Sequence, residues 1–151
     1  MNYRKIMKNK LKKLDFSINQ DNYYNNSIFE LKIDKSYIED AGLGVFAEEN
    51  IPKNSFIGFY EGENIDYHPD NTDYFFVIND YNGIDAYKYP RCYMAMLNDA
   101  RKSYNNYNCE FRIDDKNLLV EVWSIKNIMK GEELFIYYGS DYWNKQIYIN
   151  I

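Results

Sequence analysis

Gly131-Glu132-Glu133-Leu134-Phe135-Ile136-Tyr137-Tyr138-Gly139, followed by Ser140-Asp141-Tyr142-Trp143, is the stretch on which the reading of this chain turns. A glycine opens it, two carboxylates follow, and an apolar and aromatic run ends at a second glycine. Such a run between turn formers reads as a strand over residues 133–138. Three segments upstream share this mix. Ala41-Gly42-Leu43-Gly44-Val45-Phe46 sets two glycines around one residue, which lets backbone approach a ligand closely. It lacks the third glycine and following helix of a dinucleotide fingerprint. Phe59-Tyr60-Glu61-Gly62-Glu63 closes an apolar run, and Met96-Leu97-Asn98-Asp99-Ala100 precedes Asn108-Cys109-Glu110-Phe111 at a distance. Each alone reads as turn and core sequence. Their order along one chain is the specific signal.

The chain has 151 residues, the size of one domain, and is long enough to bury roughly two-thirds of its surface. It is 46% apolar and 27% charged, which is globular rather than disordered composition. No apolar run approaches the roughly 18 residues of a transmembrane helix. The basic N-terminus lacks the apolar segment of a signal peptide, so an intracellular location is expected. Two cysteines, Cys92 and Cys109, and one histidine cannot make a four-ligand zinc site without carboxylates, so no metal is expected. Free thiols are the expectation.

Charge is uneven. Arg4, Lys5, Lys8, Lys10, Lys12 and Lys13 lie within residues 1–14 with no acid among them. The remainder holds 12 basic and 23 acidic residues, a net of −11. An acidic body suits basic peptides and repels nucleic acid. In the leader, Ile6, Met7, Leu11 and Leu14 fall at helical spacing with lysines opposite. It reads as a helix packed on the domain or frayed in solvent, or else as an arm for nucleic acid or a membrane surface.

Residues 15–27 are polar and asparagine-rich and read as a linker. Strands are expected at 28–33, 43–47, 55–60, 74–78, 118–126 and 133–138. Asn82-Gly83 signals a hairpin turn. Residues 90–97 read as the one internal helix, with Pro90 in its first turn. The domain division is a leader and linker over 1–27, a folded domain over 28–143 and a tail over 144–151. One internal echo links Asn50–Tyr60 with Asn127–Tyr138, and reads as the same turn chemistry used twice.

The four segments, in this order over residues 30–143, resemble the SET-domain protein lysine methyltransferases. Compact size and the ending Tyr-Gly-Ser-Asp-Tyr-Trp are most similar to the minimal viral members. The resemblance implies a mainly β, SET-like fold of short curled sheets, with a knotted C-terminal crossing near residues 98–138. It implies S-adenosylmethionine as cofactor and a histone tail or another basic protein as substrate, with chromatin as the setting if the substrate is histone. By analogy with the minimal members it suggests a homodimer. The chain departs from the family in three ways, one being a stretch before Asn108 that is longer than the family's and lacks its proline. Asn98-Asp99 stands where the family has Asn-His, and no cysteine-rich flanking segments are present, so a lid over the substrate must come from residues 139–151 or a partner chain.

By the same resemblance Tyr138 is the catalytic tyrosine. Tyr60 works beside it, and Phe111, Ile136 and Tyr137 border the lysine channel. An aliphatic Ile136 leaves room for more than one added methyl. Backbone at Leu43 and Gly44 meets the amino-acid end of the cofactor, Asn98 holds it through its amide, and the Asp99 backbone meets adenine. Trp143 stacks on adenine as a lid. Asp99 reads equally as a cap or turn residue, and Trp143 as a packed anchor. Glu132-Glu133 reads as a turn pair, Cys109 as a buried thiol, and His68 has no nucleophile partner. Two other functions stay open: the Asn98-Asp99 departure is compatible with a SET-like module that has lost activity and only docks peptides, and the composition with an interaction protein whose leader binds nucleic acid.

Overall fold

The computed structural model describes residues 18–100 and 106–139. In chain order its strands are β1 (Tyr23–Tyr24), β2 (Leu31–Lys35), β3 (Leu43–Ala47), β4 (Phe56–Phe59), β5 (Glu63–Ile65), β6 (Phe75–Val77), β7 (Gly83–Asp85), β8 (Arg91–Cys92), β9 (Cys109–Asp114) and β10 (Leu119–Ser124). They make four small sheets: β2 with β3, β4-β10-β9, β5-β7-β6, and β1 beside β8. All pairs are antiparallel except β1–β8. This is the β-rich arrangement of short sheets expected. Among the described residues no helix is long and apolar enough to cross a membrane.

Alternation explains why the strands sit where they do. In β10, Val120, Val122 and Ser124 are buried while Leu119, Glu121 and Trp123 turn outward. In β2, Leu31 and Ile33 face inward around an exposed Lys32. One core collects Ile33, Val45, Ile57, Met94, Leu97, Val122, Leu134 and Ile136 from all parts of the chain.

The last described stretch ties the sheets together. Residues 133–138, expected as a strand, make only isolated bridges: Glu133 to Phe46, Phe135 to Asn98 and Ile136 to Cys109. Ile136 donates its N–H to the Asn98 carbonyl at 2.9 Å, and Asn108 and Cys109 both donate to the Phe135 carbonyl, at 3.2 and 3.0 Å. Residues 135–136 are thus held from both ends of the 98–109 segment. No continuous ladder forms because each residue of this stretch serves a different neighbour.

Several expectations change. Residues 90–97 are not a helix: β8 pairs with β1, and a single 3₁₀ turn, Tyr93–Met96, follows. All four residues of that turn are buried, so there is no polar face for a surface helix. Gly83 lies in β7, opposite Val77, rather than at a two-residue turn. A Cβ there would stand 2.4 Å from the Phe75 ring, so packing demands the glycine. Residues 20–27 are not a linker. Gln20–Asn22 form a 3₁₀ turn capped by Asn19, β1 docks on β8, and Asn26 donates to the Phe59 carbonyl at 2.5 Å.

The echo between residues 50–60 and 127–138 is a contact. Ile51 and Ile128 exchange backbone hydrogen bonds at 2.7 and 2.8 Å. Asn50 Oδ1 accepts the Lys130 N–H and Asn127 Oδ1 accepts the Lys53 N–H, both at 2.8 Å. Asn54 and Gly131, the fifth residue of each copy, have φ of 63° and 92°. Each turn caps the other, and each needs a residue that tolerates the left-handed region.

Candidate active site

A cavity of about 960 Å³ brings the four sequence segments together. Its wall includes Gly42 and Leu43, Tyr60, Leu97 and Asn98, Phe111, and Tyr137 to Gly139. That volume is at the upper end of small-molecule sites, roughly 300–1,000 Å³.

One side is aromatic. Phe76 lies 5.5 Å from Tyr60 and 4.8 Å from Phe111, and Tyr60 lies 6.1 Å from Phe111, all ring to ring and tilted or edge-on. Tyr60 leaves β4 with its ring buried, and its hydroxyl donates to the Tyr74 carbonyl at 2.6 Å. Burial, with Cys92 and Tyr138 nearby, pushes the Tyr60 phenol well above its ordinary range, so it stays a donor. Phe76 comes from β6 and carried no signal in the sequence beyond an aromatic-rich strand.

Tyr138 is pinned at both ends. Its hydroxyl donates to the Leu97 carbonyl at 2.6 Å, and its N–H donates to Asp99 Oδ2 at 2.7 Å. The other carboxylate oxygen of Asp99 accepts the Tyr107 hydroxyl at 2.5 Å. Tyr107 meets the ring of Tyr137 edge-on at 5.6 Å, and Tyr137 reaches the cavity wall. Asp99 is buried and outside the wall, so its side chain serves as an anchor rather than a surface for a ligand.

The glycine side is organised by Glu133. This residue is 2% exposed, not a surface turn residue, whereas Glu132 stays exposed at the turn. Its carboxylate accepts from Ser36 Oγ at 2.7 Å, from the Tyr37 N–H at 2.7 Å and from Asn98 Nδ2 at 3.2 Å. Burial raises its pKa, and these donors oppose the rise. A Cβ on Gly44 would stand 2.4 Å from Glu133 Oε2, which is why glycine is required there. Asn98 Nδ2 also donates to the Leu43 carbonyl at 2.9 Å. Its amide nitrogen is engaged within the protein, so its oxygen is the end that a ligand can meet. Gly44 lies behind the wall and Leu43 on it.

Ile136 does not border the channel. It is fully buried, bridged to Cys109, and absent from the wall. The room that an aliphatic residue there was expected to leave is filled by core. Of the lid expected over 139–151, residues 140–151 lie outside the described residues, Trp143 among them, as does the helix expected in the leader. Cys109 is a buried thiol whose pKa burial raises strongly. Among the described residues no group of three or more His, Cys, Asp or Glu is placed to hold a metal.

Arg91 is a second residue that the sequence did not reveal. It is 4% exposed, lies 3.5 Å over the Tyr74 ring and 4.5 Å from the Tyr89 ring centre, and donates to the carbonyls of Ala86 and Tyr87. It clamps the β5-β7-β6 segment against the 3₁₀ turn through rings and carbonyls.

Residues 42–139 match the SET domain family model. The chain belongs to the SET-domain family, a family of lysine methyltransferases. Solved structures that resemble it include these two. One is ctPRC2 in complex with a trimethylated and a lysine-to-methionine form of histone H3, with a TM-score of 0.62 and 25% identity over 75% of this chain. This chain spans only 15% of that one. The other is a Plasmodium falciparum candidate histone methyltransferase, with a TM-score of 0.57, 27% identity, and coverage of 76% of this chain and 97% of that one. No curated protein matches the sequence.

Proposed function

We propose that this chain is an S-adenosylmethionine-dependent protein-lysine N-methyltransferase acting on a histone tail or another basic protein. The observation that carries this reading is that one cavity joins the glycine segment, Asn98 and the aromatic wall that ends in Tyr138.

The residues present fit the cofactor. Gly42, at φ 70°, has nothing within 4 Å of where a Cβ would stand, so backbone on the cavity wall is open to close approach. Leu43 and the Asn98 amide oxygen complete that side. S-adenosylmethionine, when bound, supplies a methyl group on a positively charged sulfur.

The chain's own residues then have three tasks. Tyr60, Phe76 and Phe111 surround the entering lysine with ring faces, and desolvation there lowers the lysine pKa and favours the neutral amine. The Leu97 carbonyl and the Tyr138 hydroxyl present oxygens at one point of the wall, where they orient the amine along the line of transfer. Aromatic faces then stabilise the cationic methylammonium product. No protein nucleophile is needed, because alignment alone supplies up to roughly 7–11 kcal/mol in favourable cases.

Incubating the protein with methyl-labelled cofactor and a panel of histones, followed by mass spectrometry, tests this directly. Label on a substrate lysine is the expected result. Cofactor binding without any transfer would instead favour a docking module that has lost activity.

A further inference from the structure

We propose that the lysines of this chain's own N-terminal segment are substrates of the same site, methylated in cis. The inference rests on the methyltransferase reading above and goes beyond it by naming a substrate.

Three observations meet here. Residues 1–14 carry Lys5, Lys8, Lys10, Lys12 and Lys13 with Arg4 and no acid, while the rest of the chain has a net charge of −11, from 12 basic and 23 acidic residues. The described structure begins at Ile18, and Tyr23 is already part of the cavity wall, its ring edge-on to Tyr89 at 5.8 Å. The chain therefore enters the described fold five residues before a residue of the cavity wall. Asp40 and Asp73 also stand on that wall, and neither is in an ion pair among the described residues.

Reach is sufficient. Extended chain advances roughly 3.3 Å per residue, so the five residues from Lys13 to Ile18, where the described fold begins, span up to about 17 Å, and the lysines further up the leader reach farther. The cube root of the cavity's volume of about 960 Å³ is about 10 Å, within that reach. A tethered segment presents its side chains at an effective concentration in the millimolar range. A basic segment on an acidic body gains further from long-range attraction.

The step balances as an ordinary displacement. The lysine ammonium first gives its proton to solvent. The neutral amine then forms an N–C bond to the methyl of S-adenosylmethionine as the C–S bond breaks. The electron pair of that bond stays on sulfur, leaving a neutral thioether and a methylammonium on the leader.

The full chain, incubated with methyl-labelled S-adenosylmethionine with and without a histone H3 tail peptide, should carry label on the leader lysines. Peptide mapping would locate it, and its rate constant should not change on dilution of the protein. Replacing the five leader lysines by arginine keeps the charge and removes the acceptors. That variant should lose label on the chain and keep transfer to the peptide. A labelled peptide with an unlabelled leader overturns the proposal and leaves the methyltransferase reading standing. So does labelling whose rate constant rises with protein concentration, or label that persists on the chain after the arginine replacements. No label on the leader, on the peptide or on the histone panel refutes both readings.

Discussion

Asp99 accepts the backbone N–H of Tyr138 at 2.7 Å, and through this contact a residue that departs from the family pattern fixes the position of the candidate catalytic tyrosine. The carboxylate accepts where a family member would have an imidazole, and its second oxygen holds Tyr107. Removing it leaves buried donors without an acceptor, which costs about 1–3 kcal/mol per group. Asp99→Ala should lower stability by about 2 kcal/mol in chemical denaturation. It should also reduce methyl transfer more than cofactor affinity. An equal fall in both would remove Asp99 from the positioning role.

Gly44 and Glu133 form a second dependent pair. Gly44→Ala would set a methyl 2.4 Å from Glu133 Oε2 and 3.1 Å from Asn98 Nδ2, so the carboxylate and amide must both shift. Overpacking of this kind costs about 1–3 kcal/mol. The thermal midpoint should fall and cofactor affinity should weaken, because Asn98 moves with Glu133. A variant that melts like wild type would show that the carboxylate yields without strain.

Glu133 also sets a pH dependence. Its folded-state pKa is raised by burial above the ordinary 4.5. The folded state therefore holds the proton more tightly than the unfolded state. The stability contributed by Glu133 is greatest below the unfolded value and falls as pH rises through the raised folded value. Relative to Glu133→Gln, which does not titrate, wild type should lose stability across that window. Parallel stability-against-pH curves for the two proteins would contradict the assignment.

The legible parts of this molecule are those written in local sequence. β3 spans Leu43–Ala47, the bounds expected from its pattern, and β4 and β10 fall within one or two residues of theirs. The four motifs do meet at one cavity. What stayed hidden depends on contacts between distant residues. Glu133 looked like a turn residue because its partner Ser36 is 97 positions away. Phe76 and Arg91 sit in an ordinary aromatic strand and beside a proline, and only the docking of β5-β7-β6 gives them roles. Residues 90–97 misled because an apolar run is compatible with a helix or with a buried turn. The family pattern puts Ile136 at the channel, whereas the bridge to Cys109 holds it in the core. The likeness to the minimal viral members rests on size and the Tyr-Gly-Ser-Asp-Tyr-Trp ending alone.

The paired turns offer a test of the fold apart from the site. Asn50 and Asn127 each accept a backbone N–H of the other turn, and the Ile51–Ile128 bridge lies between them. Asn50→Ala and Asn127→Ala should each cost about 1 kcal/mol. Because both act on one bridged unit, the double variant should depart from the sum of the singles by about 0.5 kcal/mol or more. Strict additivity would mean that the two turns are independent.

The most direct test of the central claim compares wild type with Tyr138→Phe, pairing calorimetric cofactor binding with methyl transfer to a histone peptide. The hydroxyl oxygen at 2.6 Å from the Leu97 carbonyl is the only heavy atom removed. Losing one oriented polar group at the reacting atoms costs about 10²–10³-fold in rate. Cofactor binding should therefore survive while transfer falls at least about a hundredfold. Wild-type turnover in Tyr138→Phe would contradict the account.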